Sequence, residues 1–346
     1  MPGADKDGQK ISINTQSDKS LDTMKTILIT GATGFIGGHL TQRLQQQSCQ
    51  LIAAVRKDRS QLPEQVKSIV IGEITPDTDW GAALTGVDIV IHLAARAHVL
   101  QDTAADPVYE FMRSNAHSTD NLAKQAIAAG VKQFIFISSI GAMGSSSQDA
   151  LTESALCHPD TPYGCSKLAA EQALISVASG TEMSWTIFRP TLVYGAGNPG
   201  NMERLIKLIR TGLPIPFASI QNQRSLVYVG NLVDAVRLSL SHPSADRQTF
   251  VISDDRVIST PDLVRSIAEV LNLNCTLVPF PTKLFQLAGK LGDSLQNVLH
   301  RPLPLNSRTI DSLTSSLSVD TQHLKTTLDW QPPFTFEQGL AKTLVR

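Results

Sequence analysis

A chain of 346 residues in which 42% of the side chains are apolar and 18% are charged can bury a large core, so its composition excludes a disordered protein. The 30 basic and 31 acidic residues give a formal charge of −1, and no segment concentrates lysine and arginine, so we expect no nucleic-acid partner. Four widely spaced cysteines form no Cys-x-x-Cys motif, which is typical of reduced thiols in a cytoplasmic protein.

The chain begins with a polar stretch and continues as alternating strands and helices. Residues 1–23 have no apolar segment of the kind found in secretory signals, so we predict a disordered N-terminal tail that ends near Met24. The predicted strands are Thr26–Thr30, Leu51–Val55, Ser68–Ile71, Asp88–Leu93, Gln133–Ser138 and Ser184–Phe188. The predicted helices are Ile36–Gln47, Pro107–Ala129 and Pro162–Ala178. This order predicts an α/β protein with a Rossmann-type doubly wound parallel sheet that has helices on both faces.

Beyond Pro190 the pattern changes to a loop-rich region around one short helix, and helices dominate from Thr260 to the end. The length alone predicts about two domains. We therefore predict a sheet domain over residues 24–190 and a smaller, interleaved substrate-binding lobe over residues 191–346. Strand-like segments between residues 225 and 255 predict that the chain returns to the sheet domain.

One later segment, Leu284–Leu299, has apolar residues at helical spacing. The pattern fits a core-facing helix or a helix lying on a membrane surface, and we favour the core. No apolar run reaches the ~18 residues that a membrane span needs, so we expect no such span.

Three glycines follow the first predicted strand and open the first predicted helix. Gly31, Gly34 and Gly37 have the spacing G-x-x-G-x-x-G. Glycine permits a tight turn and lets the backbone approach a pyrophosphate, which then faces the helix N-terminus. An ordinary strand-to-helix turn is the alternative, but the placement between a strand and a helix favours a dinucleotide site.

Basic residues stand at the end of the second predicted strand. An acidic residue there would bind the ribose hydroxyls of NAD, whereas Arg56 can pair with the 2′-phosphate of NADP. Asp58 lies close by, and a solvated basic turn is the alternative. We therefore expect NADP(H) or NAD(H), with NADP(H) slightly favoured.

Tyr163 and Lys167 form a pair suited to proton transfer. Because they are four residues apart, they share one face of a helix. A tyrosine with its ordinary pKa of ~10 is a poor base, and a nearby ammonium favours the phenolate and lowers that pKa. Ser139, at the end of the fifth strand, adds a hydroxyl where ligands of such sheets bind. Together, these three residues predict proton transfer coupled to hydride transfer. The alternative is that they are ordinary polar residues on the surface of a helix.

With these motifs the sequence resembles the extended short-chain dehydrogenase/reductase family of nucleotide-sugar epimerases, dehydratases and ketoreductases. The resemblance implies that Ser139 orients the sugar, Tyr163 exchanges a proton and Lys167 holds both the tyrosine and the cofactor ribose. The cofactor-binding residues that it implies are Gly31, Thr33, Gly34, Phe35, Ile36, Gly37, Arg56, Glu73, Ile74, Leu93, Ala94, Ala95, Asn115, Tyr163, Lys167 and Pro190. The substrate-binding residues that it implies are Ser139, Asn198, Asn201 and Arg224.

The substrate side of the resemblance leaves alternatives. A guanidinium at Arg224 would bind a diphosphate in a fork, although this residue also fits a salt bridge between lobes. Asn198 and Asn201 also fit simple turn positions. Met143 and Asn231 depart from the family pattern, which usually has a tyrosine and an aspartate at these places.

The eight histidines show no metal-ligand spacing, so we expect no metal site. His92 lies in a predicted buried strand and fits a core residue with satisfied hydrogen bonds. Among the four cysteines, Cys157 precedes the helix that carries Tyr163, and no role is assigned to it.

The leading hypothesis is reduction of a 4-keto UDP-sugar at C4 for surface polysaccharide synthesis, such as that of lipopolysaccharide. It follows from the resemblance, because the sequence looks most like the bacterial surface-polysaccharide branch of the family, which includes the reductase that forms UDP-N-acetylquinovosamine. The first alternative is a 4-epimerase of a UDP-sugar or a polyprenyl-linked sugar that keeps tightly bound NAD. The second is a non-catalytic dinucleotide-sensing protein, because fold alone does not imply catalysis. A homodimer and a cytoplasmic location complete the expectations.

Overall fold

A computed structural model describes residues 24–57, 62–97, 106–198, 200–299 and 307–344. The predicted N-terminal tail lies outside these residues. The strands are β1 (Lys25–Thr30), β2 (Cys49–Val55), β3 (Lys67–Val70), β4 (Ile89–His92), β5 (Gln133–Ile137), β6 (Ser184–Pro190), β7 (Leu192–Tyr194), β8 (Arg224–Tyr228), β9 (Gln248–Ile252) and β10 (Val257–Ile258). The α-helices are α1 (Phe35–Leu44), α2 (Gly81–Leu84), α3 (Pro107–Phe111), α4 (Ser118–Ala128), α5 (Pro162–Ala178), α6 (Asn201–Arg210), α7 (Val229–Ser239), α8 (Thr260–Val270), α9 (Thr282–Leu299), α10 (Ser307–Thr314), α11 (Gln322–Leu328) and α12 (Phe336–Leu344).

Seven parallel strands form the main sheet, in the order β3-β2-β1-β4-β5-β6-β9. The chain first winds outward from β1 to β3 and then continues on the other side of β1, through β4. The order therefore reverses between β1 and β4. In doubly wound sheets, ligands bind at this reversal, beyond the carboxyl ends of the strands.

The central strands are largely apolar because both faces of the sheet are covered. Leu28, Val90 and Phe134 contribute to one buried cluster, and Ile29 and Ile91 contribute to a second buried cluster. Since successive side chains of a strand point to opposite faces, the two clusters lie on the two sides of the sheet. The predicted Rossmann-type fold is confirmed.

A second sheet of three strands, in the order β10-β8-β7, adjoins the helices of the C-terminal half. In it β7 and β8 run parallel, and β10 runs antiparallel to β8. Of the strand-like segments predicted between residues 225 and 255, the first corresponds to β8 of this small sheet, whereas the second corresponds to β9 and joins the main sheet beside β6. The boundary predicted near residue 190 stays a prediction.

The helix α9 differs from its prediction. Leu284, Leu287 and Leu291 are 46%, 54% and 61% exposed, so the expectation that they face the core is wrong. The core side of this helix is instead formed by Phe285, which is buried against the ring of Phe217. In the part of the chain that the structure describes, no helix is both long and apolar enough to cross a membrane.

Candidate active site at the carboxyl edge of the sheet

The glycine-rich turn joins β1 to α1 at the reversal point of the sheet. Gly31 has a φ of +72°, which favours glycine, and a Cβ on it would lie 2.9 Å from the amide nitrogen of Ala94. A Cβ on Gly37 would lie only 2.1 Å from the carbonyl oxygen of Gly31. These glycines therefore allow α1 to begin directly against β1 and the end of β4.

The N-terminus of α1 fits the pyrophosphate of a dinucleotide. Its N-cap, Gly34, has no side chain to cap the helix, and the first turn carries no acidic residue. The first-turn amides of Phe35 and Ile36 have no partner inside the helix. Thr33, the remaining predicted residue of this turn, is exposed beside them. These open amides and the positive end of the helix dipole suit an anion.

The predicted adenosine side of the site lies at the ends of β2 and β3. Arg56 follows the last residue of β2 and is exposed, and Glu73 is exposed beyond β3. Ile74 is half-buried and packs against the cluster on one side of the sheet. Asp58, the acidic residue that was set against Arg56, lies outside the described residues.

Asn115 holds the segment that follows β4. Its amide oxygen accepts a hydrogen bond from the Arg96 backbone N–H at 2.7 Å, and its amide nitrogen donates to Ser166 Oγ at 2.9 Å. Leu93, Ala94 and Ala95 precede Arg96 at the carboxyl end of β4. Asn115 thus ties the predicted cofactor-binding segment after β4 to α5, and its polar atoms are engaged within the chain.

A close contact between two backbone segments brings Ser139 and Tyr163 together. The 3₁₀ turn at Ile140–Ala142 follows Ser139, and α5 begins at Pro162 after the N-cap Thr161. A Cβ on Gly164 would lie 2.2 Å from the carbonyl oxygen of Gly141, so only glycine permits this approach. As a result, a side-chain hydrogen bond joins Ser139 and Tyr163.

Lys167 lies one turn after Tyr163, fully buried on the inner face of α5. Its Nζ donates to the carbonyl oxygen of Ile137 at 2.7 Å and lies 3.9 Å from the centre of the Phe136 ring. Ser139, Tyr163 and Lys167 therefore lie together at the carboxyl end of β5, as their positions in the sequence predict. Pro190 ends β6, the neighbouring strand.

Burial dominates the proton affinities of the tyrosine and the lysine. Burial raises the pKa of Tyr163, and the hydrogen bond with Ser139 only partly opposes it. This direction is opposite to the expected lowering, because the Lys167 ammonium here faces Ile137 rather than the phenol. Burial also lowers the pKa of Lys167 to about 7, while the charge of Glu171 acts to raise it. At neutral pH Tyr163 is therefore protonated, and Lys167 is close to its midpoint.

A buried ion pair beneath the site was not assigned from the sequence. Glu171 is 2% exposed, and its carboxylate accepts hydrogen bonds from Nε and Nη2 of Arg189, the latter at 2.6 Å. The Ser138 hydroxyl donates to the same carboxylate. This network joins α5 to the ends of β5 and β6. An acidic residue four positions after Lys167 on an otherwise apolar helix face is the signal that indicates it.

Arg224 opens into a small cavity on the substrate side. The cavity measures about 80 Å³ and is lined mainly by Leu192, Met202, Leu205, Leu226, Ile258, Leu263 and Leu313, with the hydroxyls of Ser259, Thr260 and Ser312. The guanidinium donates to the carbonyl oxygen and hydroxyl of Ser315 at 3.3 Å. Burial lowers its pKa, and no ion pair with a carboxylate is present in the described part of the chain. The salt-bridge alternative is therefore not supported, and the cation can accept an anionic ligand.

The two predicted asparagines behave differently. The Asn198 side chain donates to the Val193 carbonyl oxygen and accepts from the Gly200 N–H at 2.8 Å, so it stabilises a turn. Asn201 begins α6, and its side chain lies outside the described part of the structure.

Three other residues singled out in the sequence are structural. Met143 is 3% exposed and packs in a small apolar cluster rather than lining the cavity. Asn231 donates to the buried carboxylate of Asp254 at 2.7 Å. His92 bonds the hydroxyl of Thr30 through Nδ1 at 2.7 Å, and burial lowers its pKa to about 3. The described residues hold no cluster of potential metal ligands.

Comparison with known proteins identifies the family. Residues 27–253 match the NAD dependent epimerase/dehydratase family, and the chain belongs to it. The predicted resemblance to nucleotide-sugar enzymes of this kind is confirmed, and the chain is an enzyme of a family that acts on nucleotide sugars.

Two relatives match along almost their whole length. The chain is 39% identical over 328 residues to a UDP-glucose 4-epimerase of Vibrio cholerae, covering 92% of this chain and 94% of the relative. It is 27% identical over 323 residues to an N-acetyl-alpha-D-glucosaminyl-diphospho-ditrans,octacis-undecaprenol 4-epimerase of Escherichia coli O157:H7, with the same coverage of 92% and 94%.

The fold matches solved structures of similar proteins. A UDP-glucuronic acid 4-epimerase of Bacillus cereus, in complex with UDP-glucuronic acid and NAD, has a TM-score of 0.73. It is 21% identical, and the match covers 92% of this chain and 98% of that one. At this identity the likeness shows the fold alone. The preference for NADP that Arg56 suggested finds no support in these comparisons.

Proposed function

We propose that the chain is an NAD-dependent 4-epimerase of a UDP-linked hexose. The observation that carries the proposal is the 39% identity to a UDP-glucose 4-epimerase along 92% of the chain. The grouping of Ser139, Tyr163 and Lys167 at the carboxyl end of β5 supports it. The diphosphate is assigned to Arg224, whose charge is half-buried without a carboxylate partner among the described residues.

The residues of the chain would act as follows. The open amides at the start of α1 bind the cofactor's pyrophosphate, and Arg224 binds the diphosphate of the substrate. Ser139 orients the C4 hydroxyl toward Tyr163, which accepts its proton and later returns it. Bound NAD would accept the hydride of C4 and give it back to the opposite face of the sugar.

Tyr163 must lose its proton before it can act as a base. Burial alone keeps the phenol protonated, so the phenolate needs positive charge close by. The ammonium of Lys167 and the oxidised nicotinamide ring are the two candidate sources. We propose that Lys167 turns from the Ile137 carbonyl oxygen toward the phenol and the cofactor ribose when the cofactor binds.

A 4-ketoreductase is the second candidate, and one observation favours it. Arg56 is exposed where a 2′-phosphate would lie, which suits exchangeable NADPH. A protonated Tyr163 is also the acid that a carbonyl group needs during reduction.

The two candidates differ in their dependence on added cofactor. Purified protein should be denatured, its bound dinucleotide identified by mass spectrometry, and the native protein assayed with UDP-glucose without added cofactor. Retained NAD and formation of UDP-galactose support the epimerase. An absence of bound dinucleotide, with NADPH consumed only when a 4-keto UDP-sugar is present, contradicts it and supports the reductase.

A further inference from the structure

The helix α9 has an apolar stripe on the side that faces solvent. Leu284, Leu287 and Leu291 are 46%, 54% and 61% exposed, and their spacing places them on one face of the helix. The opposite face is anchored by Phe285, which packs between the rings of Phe217 and Phe280. Helices of single proteins usually expose polar side chains on the outer face, so this stripe indicates a contact surface.

Two further exposed leucines lie at and just after the end of α6. Leu208 and Leu213 are 37% and 63% exposed. The segment after them forms backbone hydrogen bonds with the segment that leads into α9, through Ile215 and Val278 at 3.0 Å. We call the five exposed residues Leu208, Leu213, Leu284, Leu287 and Leu291 the leucine face.

Positive charge accompanies the leucine face. Arg204, Lys207 and Arg210 are exposed on α6, and Lys207 forms an ion pair with Glu203 at 2.8 Å. Within the described residues, no carboxylate forms an ion pair with Arg204 or Arg210. A combination of exposed leucines and exposed arginines is typical of surfaces that bind anionic lipid.

We infer that the leucine face docks on the surface of an anionic phospholipid bilayer. The inference adds a location to the proposed function and is tested independently of the identity of the substrate. α9 packs on α10, where Ile310 and Ser307 approach Gly289, and α10 contributes Ser312 and Leu313 to the cavity of Arg224. The diphosphate site is therefore one helix away from the leucine face.

The test is sedimentation of the full-length protein with vesicles. Vesicles of phosphatidylethanolamine and phosphatidylglycerol are compared with vesicles of phosphatidylcholine alone. We expect binding to the anionic vesicles and a decrease of binding as salt is added. The variant Leu284→Ser/Leu287→Ser/Leu291→Ser should bind about tenfold more weakly or worse, because it removes three apolar side chains from the contact. The variant Arg204→Gln/Arg210→Gln should lose about fivefold per arginine, and only on anionic vesicles.

A matched control replaces three exposed apolar residues elsewhere, Val70, Val108 and Leu156, with serine. It should bind vesicles like the wild type. The inference is overturned if the wild type does not bind anionic vesicles, or if the control and the leucine variant lose binding equally. It is also overturned if the leucine variant changes only the oligomeric state, because the face would then join copies of the chain.

Activity on soluble UDP-glucose separates this inference from the proposed function. The leucine variant should convert UDP-glucose like the wild type, since none of its three positions lines the site. Vesicle binding without epimerase activity would leave the docking surface standing and remove the proposed function. Epimerase activity without vesicle binding would support the proposed function and remove the docking surface.

Discussion

Two adjacent glycines of α1 allow a direct test of the proposed pyrophosphate site at the glycine-rich turn. A Cβ on Gly37 would lie 2.1 Å from the Gly31 carbonyl oxygen, whereas a Cβ on Gly38 would have no atom within 4 Å. Reaching van der Waals contact in the Gly37→Ala variant requires a movement of roughly 1 Å between α1 and the turn. We expect overpacking to cost about 1–3 kcal/mol of unfolding free energy, even though alanine favours the helix.

The same movement displaces the amides that would bind the pyrophosphate. Gly37→Ala should therefore weaken dinucleotide binding by at least about tenfold, since misplacement by about 1 Å can cost up to 10²-fold in function. Gly38→Ala should bind the dinucleotide normally and gain about 0.5–1 kcal/mol of stability. Denaturant unfolding and calorimetric titration with NAD measure both effects. Equal behaviour of the two variants would refute the proposed pyrophosphate site at the glycine-rich turn, because only Gly37 contacts that turn.

Three further predictions address proton transfer, substrate binding and pH. Tyr163→Phe should keep the fold and lower turnover by roughly 10²–10⁴-fold, and near-normal turnover would remove the tyrosine from the chemistry. Arg224→Ala should raise KM by an amount equivalent to about 1.5–3 kcal/mol with kcat mostly intact, and Arg224→Lys should restore only part of the lost affinity for the substrate. Equal inhibition of wild type and Arg224→Ala by UDP would argue against diphosphate binding. His92 has a folded-state pKa of about 3, below its ordinary 6.5, so the unfolded state takes up a proton first as the pH falls. Because of this histidine, the unfolding free energy should fall by about 2 kcal/mol between pH 7 and pH 5, and that of His92→Gln should fall by correspondingly less. If urea unfolding shows the same fall for both proteins, the assignment is contradicted.

The sequence predicts the sheet and its glycine turn well because their signals are local. Nearly continuous apolar runs such as β4, which is apolar except for His92, occur where strands are buried on both faces, and the structure has these strands in one parallel sheet. The spacing of Tyr163 and Lys167 fixes their shared helix face by geometry alone. These parts of the account need only the helical and strand periods.

Other features depend on contacts between distant segments, which no local pattern shows. Glu171 meets Arg189 and Ser138 only after α5 has packed on the sheet. The apolar spacing of α9 correctly indicates a helix, but Leu287 faces solvent because Phe285 occupies the core side. Periodicity identifies an apolar face and does not say what covers it.

Cofactor preference shows a further limit. Arg56 is positioned at the end of β2 as the sequence predicts, yet it is exposed and the NADP preference has no support from the comparisons. A basic side chain at this place fits a 2′-phosphate or solvent equally well, because an exposed guanidinium can be satisfied by either.

The central claim is that hydride leaves and returns to the same sugar carbon. The direct test uses UDP-glucose with deuterium at C4, purified protein and no added cofactor, with mass spectrometry of the product. The proposed epimerase predicts UDP-galactose that keeps the deuterium. Loss of the label to solvent, or no product until a reduced dinucleotide is added, would contradict the account.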